Sequence, residues 1–128
     1  MLMTIVKEYV DASGATPFGD WFDKVDATVA AKVAKAREKL VRGHFGNVKS
    51  LGEGISEYKI DFGPGYRVYF GQDGQELILL LAGGSKKTQN KDIVKAKQLW
   101  NEYKSRKKAE KKKGKTNDGT DKGLQREN

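Results

Sequence analysis

The chain has 128 residues, which suits one domain of common size, and its 25 Lys and Arg against 17 Asp and Glu give a net charge of +8. It has no cysteine, which excludes disulfide bonds, iron–sulfur clusters, thiolate zinc sites and a cysteine nucleophile. No apolar run approaches the roughly 20 residues that cross a bilayer, and the N-terminus shows no secretion signal, so we expect a cytoplasmic protein without a membrane partner.

The first predicted elements are a strand and two helices. Met3–Val10 is rich in β-forming residues and predicts the strand. Pro17 suits the first position of a helix. The apolar face of that helix contains Phe18, Trp21, Phe22 and Val25. Asp26 can cap a second, longer helix, which Gly43 ends, and the lysine-rich side of this second helix is expected to be solvated.

From Val48 onward the apolar period changes to two, which is typical of strands. Ser56–Phe62 and Tyr66–Phe70 each alternate between apolar and polar residues, and Gly63–Gly65 between them must form a turn because proline cannot donate to a central ladder. Leu77–Leu81 is apolar throughout, which predicts a central strand covered on both faces. Hairpin turns between successive strands predict an antiparallel sheet and an α+β fold.

A last helix is predicted from about Thr88. Its apolar face contains Ile93, Ala96, Leu99, Trp100 and Tyr103. The segment that follows has ten basic and four acidic residues and almost no apolar ones, so residues 1–103 are predicted to form the domain and residues 104–128 a basic, disordered tail. The first part of this tail can extend the helix by a few turns. The tail is either a solvated extension or an arm that contacts nucleic-acid phosphates.

Four stretches of the chain together resemble a known family: Phe45–Lys49, Gly52–Gly54, Glu57–Phe70, and Leu80–Gln89 with Lys91–Ile93. In this order they resemble the addiction-module killer proteins of the RelE/ParE toxin superfamily, close to its HigB-type branch. The resemblance covers about residues 3–103. It implies a RelE-like toxin fold, in which a small antiparallel sheet packs on two N-terminal helices with a C-terminal helix at its edge.

The resemblance also implies a function and partners. It indicates the toxin of a type II toxin–antitoxin pair, a monomer when alone and a hetero-oligomer with a cognate, HigA-like, DNA-binding antitoxin. Many members of the superfamily cleave mRNA on the ribosome without a metal ion or another cofactor, whereas the ParE branch inhibits DNA gyrase. The chain is therefore predicted to be a ribosome-dependent mRNA endonuclease, with a gyrase inhibitor and an inactive nucleic-acid-binding relative as alternatives.

Three basic residues are candidates for catalysis. Cleavage through the 2′-OH needs a cation beside the pentavalent phosphorane, and the planar fork of Arg67 can hold two phosphate oxygens. By strand parity Arg67 points away from the apolar side chains of its strand, so we expect it on an uncovered face of the sheet. Lys59 has the same parity on the preceding strand, and the turn can bring it near Arg67. The resemblance supports Arg67 and extends to Lys59 and Lys49.

The remaining candidates have weaker patterns. By their position after the glycine pair of the family, the resemblance indicates three lysines that bind RNA: Lys86, Lys87 and Lys91. Without the resemblance, each candidate lysine would be read as an ordinary solvated side chain, and Lys59 as a partner of Glu57 or Asp61.

The general base stays open. HigB-type nucleases commonly use histidine, but the single histidine of this chain, His44, lies in a connection outside the matched strands. Three alternatives remain. Lys49 or Lys59 could have a lowered pKa, a carboxylate such as Asp61 could contribute, or the ribosome could supply the geometry while the protein positions and neutralises. A single histidine and scattered acidic residues predict no metal site.

Overall fold

The computed structural model describes the backbone of residues 4–117 and the side chains of residues 4–111. Within residues 4–117, five strands and three helices follow one another, with a 3-10 turn at Lys86–Thr88: β1 (Ile5–Glu8), α1 (Pro17–Phe22), α2 (Ala27–Val41), β2 (Val48–Gly52), β3 (Ile55–Ile60), β4 (Tyr66–Asp73), β5 (Leu77–Ser85) and α3 (Gln89–Asn117). The predicted strands and helices thus form near their expected positions, and β2 is an additional strand that the sequence pattern did not separate. Among the described helices, none has the length and apolar character that a bilayer-spanning segment needs.

The five strands form one mixed sheet in the order β1-β5-β4-β3-β2. Three pairs of neighbours are antiparallel, but β1 runs parallel to β5, with Ile5 opposite Leu77. The predicted small antiparallel sheet is therefore wrong. The hairpin turns fix the directions of β2 to β5 only. Two helices follow β1, so no hairpin turn fixes its direction or its partner. It pairs with β5, whose other edge is already paired with β4.

The interior strand β5 explains why the sheet needs cover on both faces. Its side chains alternate between two hydrophobic cores, with Ile78 and Leu80 in the first and Leu79 and Leu81 in the second. This confirms the prediction that Leu77–Leu81 is covered on both faces. A strand with this pattern is stable only when helices cover both sides of its sheet.

The helices are divided between the two faces. The short α1, of six residues, and α2 pack on the first face, and α3 packs across β3, β4 and β5 on the second. The prediction of two N-terminal helices as the support, with the C-terminal helix at the sheet edge, is wrong. α3 is the longest helix, and it covers the face that was expected to remain open.

Local sequence explains both long helices. The backbone N–H of Val29 donates to Asp26 Oδ1 at 3.0 Å, so the predicted cap begins α2. In α3, Ala96, Leu99 and Trp100 are buried against the sheet, as their helical spacing predicted. Burial of these apolar side chains fixes α3 on the second face.

α3 continues well into the segment predicted as a tail. Lys107 Nζ lies 2.5 Å from Asp73 Oδ2, and Arg106 donates to the carbonyl oxygen of Val10 at 2.9 Å. These contacts tie the helix to the β4–β5 hairpin and to the end of β1. The extension by a few turns is therefore present, and residues 118–128 of the predicted tail lie outside the described residues.

Candidate functional site

A groove of about 290 Å³ opens beside the turn between β3 and β4. Cationic, turn and acidic residues line it: Lys59, Arg67, Lys86, Asp61, Phe62, Gly63, Pro64 and Gly65. Lys59 and Arg67 are directly opposite each other in the β3–β4 ladder, as predicted from the turn. Opposite residues of an antiparallel pair share a face, so these two cations lie together.

The turn is built by residues that tolerate its backbone conformation. Gly63 and Gly65 have φ values of 56° and 87°, in the left-handed region that side chains disfavour. The N–H of Lys86 donates to the carbonyl oxygen of Gly65 at 3.0 Å. This hydrogen bond joins the turn to the start of the 3-10 turn and brings the Lys86 side chain to the groove.

Arg67 is buried, which corrects the expectation that it lies on an uncovered face. It is 7% exposed because α3 covers the second face of the sheet. Its Nε lies 3.6 Å from Oε2 of Glu57, another buried side chain. Gln89 Nε2, at the start of α3, donates to Oε1 of the same carboxylate at 3.3 Å. The Glu57 carboxylate thus pairs with the Arg67 guanidinium and is itself positioned by the hydrogen bond from Gln89.

The hydrogen-bonding capacity of Arg67 is not used up by these contacts. Its Nε and Nη1 are buried and have no acceptor within hydrogen-bond distance among the described residues. A buried donor without an acceptor costs about 1 to 3 kcal/mol, so such donors usually face a ligand or water. Because Arg67 lines the groove, an anion bound there would lie close to the positive charge of its guanidinium.

Tyr69 is a third unsatisfied group on the same face. Its hydroxyl is fully buried without a partner among the described side chains. Burial, with the negative charges of Glu57 and Asp92 nearby, raises the pKa of Tyr69. The phenol therefore holds its proton more tightly than a solvated tyrosine does.

The two lysines of the groove differ from Arg67 in their solvent exposure. Lys59 and Lys86 are exposed, and Lys59 Nζ lies 3.6 Å from Asp61 Oδ1 on an open surface. The pairing of Lys59 with Asp61 that strand position allowed is therefore present. An exposed pair of this kind contributes little and opens easily. The groove thus combines one buried cation, Arg67, with two exposed cations, a suitable arrangement for a phosphate group.

Other predicted residues lie elsewhere. Lys49 is opposite Glu57 on the edge strand β2, and it is not among the residues that line the groove. Lys87 and Lys91 are exposed near the start of α3 and do not line it either. His44 lies in the exposed connection between α2 and β2, as predicted.

Sequence reasoning missed the buried support of Arg67. Glu57 was considered only as a surface partner for Lys59, and Gln89 was not considered. A signal was present for Glu57, since it has the same strand parity as Lys59 and lies diagonally from Arg67 across the hairpin. No local pattern marks Gln89, because its contact depends on where α3 crosses the sheet. In the part of the chain whose side chains are described, no three His, Asp or Glu residues come together as a metal site.

Comparisons with known proteins place the chain in a family. Over 83 residues it is 43% identical to an uncharacterized protein of Haemophilus influenzae, an alignment that covers 64% of this chain and 84% of that protein. The chain belongs to the same family as this Haemophilus protein. No family model matches the chain.

Proposed function

We propose that the protein is the toxin of a type II toxin–antitoxin module and that it cleaves mRNA on the ribosome. One observation carries this proposal: the buried guanidinium of Arg67 has two donors without acceptors and lies in a groove with Lys59 and Lys86. A phosphodiester has the charge and the oxygen atoms that these groups lack.

The chemistry follows from where charge develops. When a 2′-OH loses its proton to solvent and attacks the adjacent phosphorus, the pentavalent phosphorane has more negative charge on its oxygens than the starting phosphodiester has. The P–O5′ bond then breaks, the 5′-oxygen takes up a proton from solvent, and a 2′,3′-cyclic phosphate remains. Donors held in place before the reaction stabilise the charge of the phosphorane without reorganising. Arg67, held by Glu57 and Gln89, is such a donor, and the two rim lysines add positive charge from the open side.

The sequence resemblance supports the same reading and supplies the partners. The motif residues Tyr66 and Arg67 pair with Ser85 and Gly84 in the β4–β5 ladder, and Lys86, which follows, lines the groove with Arg67, although the two segments are separated in the chain. A cognate HigA-like antitoxin would keep the toxin inactive by covering this cationic groove in the cytoplasm. The ribosome would present the mRNA, and no cofactor is needed for charge stabilisation by side chains.

The test is a translation reaction programmed with a defined mRNA, run with and without ribosomes. Wild-type protein should produce discrete cuts only when ribosomes are present. Lys59→Gln and Lys86→Gln each remove one exposed cation and should slow cleavage about tenfold, and Arg67→Lys should slow it about a hundredfold. Lys24→Gln changes an exposed lysine outside the groove and should cleave at the wild-type rate.

Two results would contradict the proposal. Cleavage that is unchanged in all three groove variants would separate the groove from the reaction. Inhibition of plasmid supercoiling by gyrase, with no RNA cut under any condition, would favour the ParE-like function instead. The two lysine variants lie on the surface, so their folding is not in question even if Arg67→Lys proves unstable.

A further inference from the structure

A second groove, of about 280 Å³, lies between α2, Asn47 and the C-terminal half of β3. Three lysines of α2 line one wall of it: Lys32, Lys35 and Lys39. Lys59 and Asp61 line this groove and also the groove beside Arg67. The two depressions are therefore adjacent: one lies on the α2 side of the sheet, the other on the Arg67 side, and both reach the Lys59–Asp61 end of β3. We call the two grooves together the basic track.

The lysines of α2 form a straight row. Spacings of three and four residues place Lys32, Lys35 and Lys39 on one face of the helix, and the row is about 10 Å long at 1.5 Å per residue. All three are exposed. The sequence reading of this helix side as merely solvated did not show that the row borders a groove.

Within residues 4–111, the arginines at α2 form ion pairs, whereas its lysines that line the groove do not. Arg37 pairs with Glu8 and Arg42 with Glu38, each at 3.4 Å. By contrast, no carboxylate among the described side chains lies within 4 Å of the ammonium groups of the three track lysines. Their charges are thus available to a polyanion.

An aromatic ring stands where the two grooves meet. Phe62 is 38% exposed, which is high for a side chain of its size, and its ring faces Lys32 Nζ at 4.7 Å from the ring centroid. Single-stranded nucleic acids bind where a row of cations follows the backbone and an exposed aromatic ring can stack on a base.

We propose that the basic track binds the backbone of single-stranded RNA and leads the strand along α2 toward Arg67. That the bound nucleic acid is RNA rests on the proposed function. That a polyanion binds the track is argued from the positions of the α2 lysines alone. Lys32, Lys35 and Lys39 contact successive phosphates away from the reacting bond, and Phe62 stacks on a base beside it. The three lysines contribute affinity and direction, not chemistry.

The experiment measures binding of the full chain to a fluorescent 2′-O-methyl oligouridylate, a probe that has no free 2′-OH and is not cleaved. The test variant is Lys32→Gln, Lys35→Gln and Lys39→Gln together. Its matched control removes three exposed lysines of α3 through Lys95→Gln, Lys104→Gln and Lys108→Gln. Both variants lose the same charge, so only the position of the charge differs.

The track variant should lose at least about tenfold in affinity at moderate salt, and the slope of log K against log salt should become less negative by about 2, near 0.7 for each lost phosphate contact. The control should stay within about twofold of wild type. Replacing the same three α2 lysines by arginine should restore binding, because the charge is restored. Thermal unfolding of each variant should match that of wild type, since all the changed side chains are exposed.

Equal losses in the two triple variants would overturn the proposal, because binding would then depend on total charge. Binding of an acidic peptide that needs the α2 lysines, with no binding of the RNA probe, would also overturn it in favour of a protein partner. The proposed function fails separately: a protein that binds the probe through α2 but makes no cut on ribosomes retains the track and loses the nuclease assignment. Conversely, if the track variant binds the probe as tightly as wild type and still cuts mRNA on ribosomes, the nuclease assignment is retained and the track proposal fails.

Discussion

Arg67 Nε lies 3.6 Å from Glu57 Oε2, and both side chains are more than nine-tenths buried beneath α3. The separation is short enough for an ion pair but too long for a hydrogen bond, so the pair holds the guanidinium without satisfying it. Burial of a cation with unsatisfied donors costs stability, and such groups in native proteins often mark a functional site or a bound water or ion. This relationship is the physical basis of the candidate site.

Removing the charge of Glu57 should destabilise the fold. Glu57→Gln leaves Arg67 buried without a counter-charge, and breaking one side of a buried ion pair typically costs about 3 to 5 kcal/mol. The control Glu53→Gln breaks the surface pair with Lys97, which is 3.0 Å long and partly exposed, and should cost less than about 1 kcal/mol. Urea unfolding followed by tryptophan fluorescence measures both. Similar costs for the two variants would show that the buried pair contributes no more than a surface one.

Gly71→Ala should destabilise the packing of α3 on the sheet. A Cβ at this position would lie 2.2 Å from Cε3 of Trp100, whose ring is buried and cannot move away cheaply. Overpacking of this kind costs about 1 to 3 kcal/mol. Gly46→Ala meets no atom within 4 Å and should leave the free energy of unfolding within about 0.5 kcal/mol of wild type. Equal stability of the two variants would show that the Trp100 ring does not pack against Gly71.

Tyr103 should make the wild-type protein less stable in alkaline solution. Burial, together with the hydrogen bond that Tyr103 donates to Asp73, raises the pKa of Tyr103 to about 12. The unfolded phenol ionises near pH 10, so its stabilising effect is full below about pH 10 and is lost as pH rises through about 12. The unfolding free energy of wild type should therefore fall more steeply than that of Tyr103→Phe over this range. Parallel curves would contradict the assigned contact.

The Nε–H resonance of Arg67 should report the arrival of a phosphate. In ¹⁵N-labelled protein, titration with the uncleavable oligonucleotide should shift this resonance, because a phosphate bound in the groove changes the electric field at the guanidinium. The corresponding resonances of Arg37 and Arg42, which already pair with carboxylates on the surface, should not shift. A titration that shifts all three to the same extent, or none of them, would argue against a specific phosphate position.

The positions of the elements were largely readable from the sequence, because they depend on local patterns. Alternation in β3 and β4, the Asp26 cap of α2 and the continuous apolar run of β5 all formed as expected. The architecture was not readable to the same degree. The parallel placement of β1 beside β5 and the packing of α3 across the second face join segments far apart in the chain. Both contacts are set by burial rather than by local residues.

The site shows the same division. The register that places Lys59 opposite Arg67 follows from two strands and one short turn, so local pattern was sufficient. The burial of Arg67 was missed because it depends on α3, and the covering helix was expected at the sheet edge. The row of lysines on α2 was visible in the sequence, but its position along a groove shared with Lys59 is a tertiary property.

The most direct test of the proposed function is a map of RNA ends in cells after a short induction of the protein. The account predicts new 5′ ends within translated reading frames, at positions that correspond to the ribosomal A site. These ends should be strongly reduced for the combined Lys59→Gln and Lys86→Gln variant and unchanged for Lys24→Gln. RNA ends that match those of uninduced cells, while wild-type induction still stops growth, would contradict it.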